Sequence, residues 1–410
     1  MKPTGPIPPY FAGQSELVIA GKTATEWVAE AGSPLFVYDV GIVTERLTRL
    51  RAVLPDAVEI HFAIKANPLP EMLAAVAPLV GGLDVASGGE LVKALAVKDA
   101  AHISFAGPGK RDVELEAAII AGATLNLESE GEAGRALAIG GRLGVRPRLA
   151  VRVNPDFELR GSGMKMGGRA SPFGIDAARV PALVRRIIDA GADWRGFHIF
   201  AGSQSLDTVA IIETQAATVA LAARLADEAG AVPPLVNLGG GFGIPYFSGD
   251  VAVDIDAVGA ALGETLAARP DRLAESHFAI ELGRWIVGES GVYLMTVIDK
   301  KRSGEESFLV CDGGLHHQLA ASGNFGTVVK RNYPVAVAAR MDAAPTETVS
   351  VVGPLCTPLD RLADRVALPD AEVGDVIAIF LAGAYGASAS PAAFLGHGPA
   401  AEIVANAGKP

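Results

Sequence analysis

The chain has 410 residues, half of them hydrophobic and a fifth charged. That composition excludes intrinsic disorder, and the length exceeds what one compact core usually takes. A net charge of −11 argues against non-specific binding to nucleic acid or an anionic membrane, though it leaves room for a local basic pocket.

Two cysteines, Cys311 and Cys356, are too few for a disulfide framework or a zinc cluster and fit a reducing, cytoplasmic setting. The opening MKPTGPIPPYFAG has no apolar stretch of the signal-peptide kind. The apolar runs further on are short and interrupted, so no membrane span is expected.

In chain order, ELVIAGK and LFVYD are short β-type pieces within the first 40 or so residues. From residue 58 short β-prone runs alternate with Ala/Leu-rich stretches of helical period. The runs are EIHFAI before Lys65, GLDVAS to Ser87, HISFAG to Gly107, TLNLES to Ser129, LAVRVN to Asn154, GFHIF to Phe200, LVNLGGG to Gly241 and FAIELGR to Arg284. Eight such units in about 225 residues match a (β/α)8 TIM-type barrel, with a doubly wound sheet as the alternative. After residue 285, GVYLMTVIDKK, SFLVCDGG, ETVSVVGPLC and DVIAIFLAGAYG are β-type runs joined by turns. They predict a C-terminal antiparallel β-barrel or sandwich domain. The expected division is a barrel over 40–284, with 1–39 and 285–410 forming the β domain.

Polar residues collect at the C-terminal ends of the expected strands: Lys65, Asp84 with Ser87, Asn154, His198, the glycines 239–241, and Glu281 with Arg284. In a barrel those ends meet on the face where active sites form. Each residue also has a plainer reading. A strand-end lysine is usually a surface residue, but at the inner end of an apolar strand desolvation lowers its pKa and frees the amine for imine formation. A glycine run is usually a turn, yet it also lets backbone N–H groups approach a phosphate, and barrels often place phosphate sites after strands seven and eight.

Glu281 is either one half of a Glu–Arg pair or a buried carboxylate facing a pyridine nitrogen. His198 is either a core histidine or a ring-stacking imidazole. Gly202 and Ser203 offer further phosphate donors. Cys356 and Tyr385 have structural readings as a buried thiol and a core aromatic. His316 and His317 are adjacent, so on a strand they point to opposite faces and do not form a metal pair.

Taken together and in this order, the motifs resemble the barrel-type (fold-type III) pyridoxal-phosphate decarboxylases of ornithine, arginine and diaminopimelate. The resemblance rests on Ala-Ile-Lys-Ala-Asn (63–67), Asp-Val-Ala-Ser (84–87), Gly-Gly-Gly-Phe-Gly (239–243), Glu-Leu-Gly-Arg (281–284), Cys356 and Tyr385. It implies that Lys65 carries pyridoxal 5'-phosphate as a Schiff base, that His198 stacks on the ring, and that Glu281 pairs with the pyridine nitrogen. It further implies that Asp84 belongs to the cofactor site and that Ser203, Gly240, Gly241, Gly283, Arg284 and Tyr385 surround the phosphate. Cys356 would come from the second subunit of a homodimer with shared active sites and help protonate the substrate carbon.

Within the family, FHIFAGSQ, NLGGGFGIPYF, DGGLHHQLAASGNFG and VGPLCTPLD resemble a bacterial subgroup associated with exosortase A and exopolysaccharide loci. Three features depart from the wider family. His198 and Gly202-Ser203 are separated by Ile-Phe-Ala, longer than the usual His-x-Gly-Ser. Thr357 follows Cys356 where the family has Asp or Glu. The stretch LHHQLAAS lacks the arginine of a diaminopimelate enzyme.

The function expected is α-decarboxylation of an amino acid, free or linked to a carrier or larger conjugate. An alanine-racemase-like racemase and a non-catalytic pyridoxal-phosphate-binding protein are the alternatives. Glu281 counts against the first, because a protonated pyridine favours full carbanion delocalisation. The C-terminal β region counts against the second.

Overall fold

The structure is a computed structural model that describes residues 1–159, 164–165, 170–323 and 330–406. Asn324-Phe325-Gly326, at the end of the DGGLHHQLAASGNFG motif, lie outside the described residues. The chain divides into two compact units. One is Arg46–Gly243 with Ala252–Gly283; the other is Met1–Glu45 with Ile244–Val251 and Arg284–Pro410.

The first unit is a closed barrel of eight parallel strands: β1 (Val58–Ala63), β2 (Gly82–Val85), β3 (Ile103–Phe105), β4 (Thr124–Leu127), β5 (Arg148–Asn154), β6 (Asp193–Ile199), β7 (Leu235–Gly240) and β8 (His277–Leu282). Each pairs with the next, and β8 closes on β1 from Phe278 opposite Val58 to Leu282 opposite Phe62. These are the eight runs expected from sequence, and closure rules out the doubly wound sheet.

The strands are short and buried on both sides, so their sequence is a near-continuous apolar run. The crossover helices begin where a side chain satisfies the first free N–H groups. Ser87, Ser129, Asp207 and Asp254 accept from Glu90, Glu132, Ala210 and Ala257. Ser87, grouped by the sequence with the strand-end residues, is thus a helix cap.

The helix Thr208–Ala229 corrects one expectation. At 22 residues it is long and apolar enough to cross a membrane, although no run of that kind was anticipated. Here it links β6 to β7, and Ile211, Val219, Leu221, Ala222, Leu225 and Ala226 are buried, as in a core helix.

The second unit is an eight-stranded mixed sheet. Its long strand Gly291–Ser303 pairs antiparallel with Leu35–Asp39, Val376–Ile379 and Glu306–Cys311. Two pairings are parallel, Glu306–Cys311 with Glu347–Val352 and Ala401–Ala405 with Leu35–Asp39, so the sheet is mostly rather than wholly antiparallel. LFVYD joins this sheet, whereas ELVIAGK forms a separate two-stranded hairpin. The core gathers Phe11, Phe36, Tyr38, Tyr293 and Phe380, with the Phe36 and Tyr293 rings stacked at 4.5 Å.

Ile244–Val251 groups with this unit because Tyr246 packs on Tyr333 at 4.7 Å, while the guanidinium of Arg331 lies 3.8 Å over Phe247.

Candidate active site

In the barrel unit, β1 runs into a 3-10 turn, Ile64–Ala66, and Lys65 rises from that turn. Ile64 and Ala66 are buried while Lys65 is exposed. This corrects the expectation that the strand end itself desolvates the amine, because the turn lifts the side chain off the apolar wall. The lysine reaches over Phe200, with Nζ 5.9 Å from the ring centroid.

From β6, His198 places Nε2 2.8 Å from Oε2 of Glu281 on β8, and both side chains are buried. Burial alone would raise the Glu281 carboxyl. The hydrogen bond from His198 and the nearby cations Lys65 and Arg152 outweigh it and bring the group down to about 2. The site therefore holds a buried carboxylate kept ionised by its hydrogen bond to His198, with Lys65 near enough to favour its charge.

The end of β7 packs closely against β8 and against the segment that follows β6. A Cβ on Gly240 would sit 1.9 Å from the Glu281 carbonyl oxygen, and one on Gly241 2.3 Å from that of Gly202. Gly241 also has φ +79°, a conformation that favours glycine. The Ser205 N–H donates to the Gly241 carbonyl at 2.9 Å, and the Gly243 N–H donates back to that of Ser205 at 2.8 Å. Ser203 lies on this same knitted turn, in a bridge to Met164. Gly283 sits against the Lys65 turn, where a Cβ would meet the Ala63 carbonyl oxygen and the Ala66 methyl at 2.9 Å. Glycine is required at these positions because protein atoms pack directly against them, and such a tight turn can also present N–H groups to a phosphate.

Asp84 is placed differently from the others. Its carboxylate faces His61, Oδ1 to Nδ1 at 3.5 Å, with both side chains buried. Burial opposes a charge on His61, yet Asp84 and Glu59 together push it up to about 10.

Arg152 was not singled out from the sequence. It is buried on β5 and reaches Oε1 of Glu128 at 2.8 Å, and Glu128 also accepts from the N–H groups of Gly107 and Gly174. A charge within the apolar run LAVRVN was the available signal. Phe200 was passed over as an ordinary apolar residue.

In the second unit, Arg284 is hydrogen-bonded to the Tyr246 hydroxyl at 2.8 Å, and its guanidinium lies 4.7 Å over the Tyr385 ring. Tyr385 has φ +55°, an uncommon conformation for a non-glycine residue. Cys356 is an exposed free thiol rather than a buried structural one. It sits on a turn held by Asp360, whose carboxylate accepts from the N–H of Leu355 at 2.9 Å and of Leu315 at 2.6 Å.

Residues 40–288 match the family model of the pyridoxal-binding domain of pyridoxal-dependent decarboxylases. This chain belongs to the pyridoxal-dependent decarboxylase family. It is 35% identical to the L-glutamyl-[BtrI acyl-carrier protein] decarboxylase of Niallia circulans, over 91% of this chain and 88% of that one. To the diaminopimelate decarboxylase of Archaeoglobus fulgidus it is 31% identical, over 90% and 87%. The crystal structure of diaminopimelate decarboxylase from m. jannaschii in co-complex with L-lysine superposes with a TM-score of 0.82 at 26% identity, covering 97% of this chain and 91% of that one.

The decarboxylase is accordingly a carboxy-lyase of amino-acid metabolism that uses pyridoxal phosphate. Its barrel residues fit that group. They offer an amine that can form an imine, a buried ionised carboxylate, and a glycine-lined turn without room for side chains.

Proposed function

We propose that this decarboxylase removes the α-carboxylate of an amino-acid unit carried on a larger conjugate, acting as a homodimer in a reducing cytoplasm. The observation that carries the catalytic part is the Lys65, His198 and Glu281 group, an accessible amine facing an ionised carboxylate. Lys65 would hold the cofactor's aldehyde carbon and release it to the substrate amine. Glu281 would accept a hydrogen bond from the protonated pyridine nitrogen. Ser203, Gly240, Gly241 and Gly283 would take the phosphate, and the resemblance adds Arg284 and Tyr385. Bound pyridoxal phosphate supplies an electron sink for the pair left on Cα when carbon dioxide departs. Lys65, or Cys356 from a second copy, then delivers a proton to Cα.

Two features support a conjugate as substrate. The relative from Niallia circulans acts on a glutamyl unit borne by a carrier protein. In addition, the segment that carries an arginine in diaminopimelate enzymes has no lysine or arginine here from Leu315 to Ser322. Burial and neighbouring histidines lower His316 to about 4, and His317 is lowered as well, so this segment is uncharged near neutral pH. An uncharged wall does not select a free distal carboxylate.

The test is carbon dioxide release from free diaminopimelate, lysine, ornithine, arginine and glutamate, and from glutamate thioesterified to pantetheine. The thioester should turn over at least tenfold faster than any free amino acid. Comparable turnover of free diaminopimelate overturns the conjugate reading.

A further inference from the structure

His198 and Phe200 stand two residues apart at the end of β6, and the structure gives them different neighbours. His198 is committed to Glu281 through Nε2, and because Glu281 is ionised that nitrogen is the donor. A carboxylate accepts near its own plane. Two donors on Glu281, His198 and a pyridine nitrogen, therefore lie side by side around the carboxylate and not face to face. Phe200, by contrast, is buried and turns its ring toward Lys65, with Nζ 5.9 Å from the centroid. A ring carried on that nitrogen is within stacking reach of Phe200.

We infer that Phe200 covers the face of the cofactor ring and that His198 is a positioning residue, holding Glu281 toward the pyridine nitrogen. This rests on the reading that Lys65 and Glu281 grip the cofactor. It moves ring stacking from the histidine to the phenylalanine, and the three-residue separation of His198 from Gly202 follows from that. Phe200 is then separated from Gly202-Ser203 by Ala201 alone, the short spacing usual for a stacking residue. Glu281 is faced by His198, Lys65 and Arg152, so removing His198 leaves two cations, and the carboxylate stays charged but loses its fixed orientation.

Equilibrium dialysis of pyridoxal phosphate, visible circular dichroism of the bound cofactor and its absorbance across pH separate the two roles. Phe200→Leu should weaken cofactor affinity about tenfold, the worth of one aromatic stack, and diminish the visible dichroism. Phe200→Tyr should restore both. If the leucine variant fails to fold, Phe200→Met, which keeps the volume without a ring, makes the same comparison.

His198→Leu should keep the dichroism and displace the pH at which the absorbance of the bound cofactor changes, and His198→Gln should restore it in part. The inference is overturned if His198→Leu abolishes the dichroism while Phe200→Leu and Phe200→Met leave affinity and dichroism unchanged. Lys65→Ala separates this from the wider reading. If it retains the absorbance of the attached cofactor, the grip itself is wrong. If it loses that absorbance while the Phe200 variants behave as wild type, only the ring-face assignment is wrong.

Discussion

The barrel unit and the sheet unit present their candidate site residues in opposite ways. In the barrel, Lys65, His198, Glu281 and Arg152 sit at or near strand ends whose register is fixed by eight parallel pairings. Three of the four are buried and paired. In the sheet unit, Cys356 is exposed on a turn, His316 is buried with no hydrogen-bond partner among the described residues, and Tyr385 holds a positive φ. The first arrangement suits chemistry that is the same for every substrate, while the second suits a surface that differs between relatives.

The largest effect that would break this contrast lies at Lys65. Lys65→Ala should remove the absorbance of the attached cofactor and all measurable carbon dioxide release. In the sheet unit, Cys356→Ala should lower kcat on the order of 10²-fold, the low end for a lost proton donor. Because the thiol is exposed, stability should stay within about 0.5 kcal/mol in urea unfolding. Mixing Lys65→Ala with Cys356→Ala chains should restore activity if the sites are shared, since one site of each mixed dimer then has both residues. Failure to complement would break the shared-site reading.

Arg152→Met sharpens the contrast from the stability side. It leaves Glu128 buried beside two backbone donors with Lys110, itself paired to Glu132, as the remaining nearby cation, and should cost about 3 kcal/mol in unfolding free energy, the low end for a broken buried pair. No exposed residue of the Cys356 turn should approach that figure.

A further effect is in pH, and the two units respond with opposite sign. His61, raised to about 10 in the fold, stabilises the protonated barrel below about 6.5, and that contribution is lost as pH rises toward 10. His316, lowered to about 4, favours the neutral form, so its contribution is lost as pH falls from about 6.5 toward 4. His61→Gln should flatten the alkaline limb of stability against pH, and His316→Leu the acid limb. Urea unfolding at pH 5, 7 and 9 measures both.

The barrel was legible because its information is local. Short apolar β-prone runs alternating with helical ones mark the strands, and the polar residues at the end of each run mark the face, which is how Lys65 and Glu281 stood out. What escaped depends on pairing across the chain. Arg152 looks anomalous within LAVRVN, and only its position opposite Glu128, just past the end of the neighbouring strand β4, explains it.

His198 and Phe200 illustrate a second limit. The register of β6 slips between Trp194 and Gly196, and that of β7 between Asn237 and Gly240. Irregularities of this kind re-aim side chains, so counting along the strand does not say which ring faces the lysine. The exposure of Lys65 was hidden for a related reason, since one 3-10 turn separates an inner position from an open one. The placing of Ile244–Val251 with the sheet unit depends on Tyr246 finding Tyr333, a partner far along the chain.

Asp360 joins two turns that are distant in sequence, with one carboxylate oxygen on the Leu315 N–H and the other on the Leu355 N–H. Carbon at either Gly314 or Gly353 would collide with that carboxylate, at 2.4 Å and 2.3 Å. The thiol turn and the uncharged histidine segment are thus two ends of one clasp. Transplanting the substrate preference of a relative into this scaffold would have to carry both turns and their aspartate together, because exchanging one alone leaves the clasp half fastened.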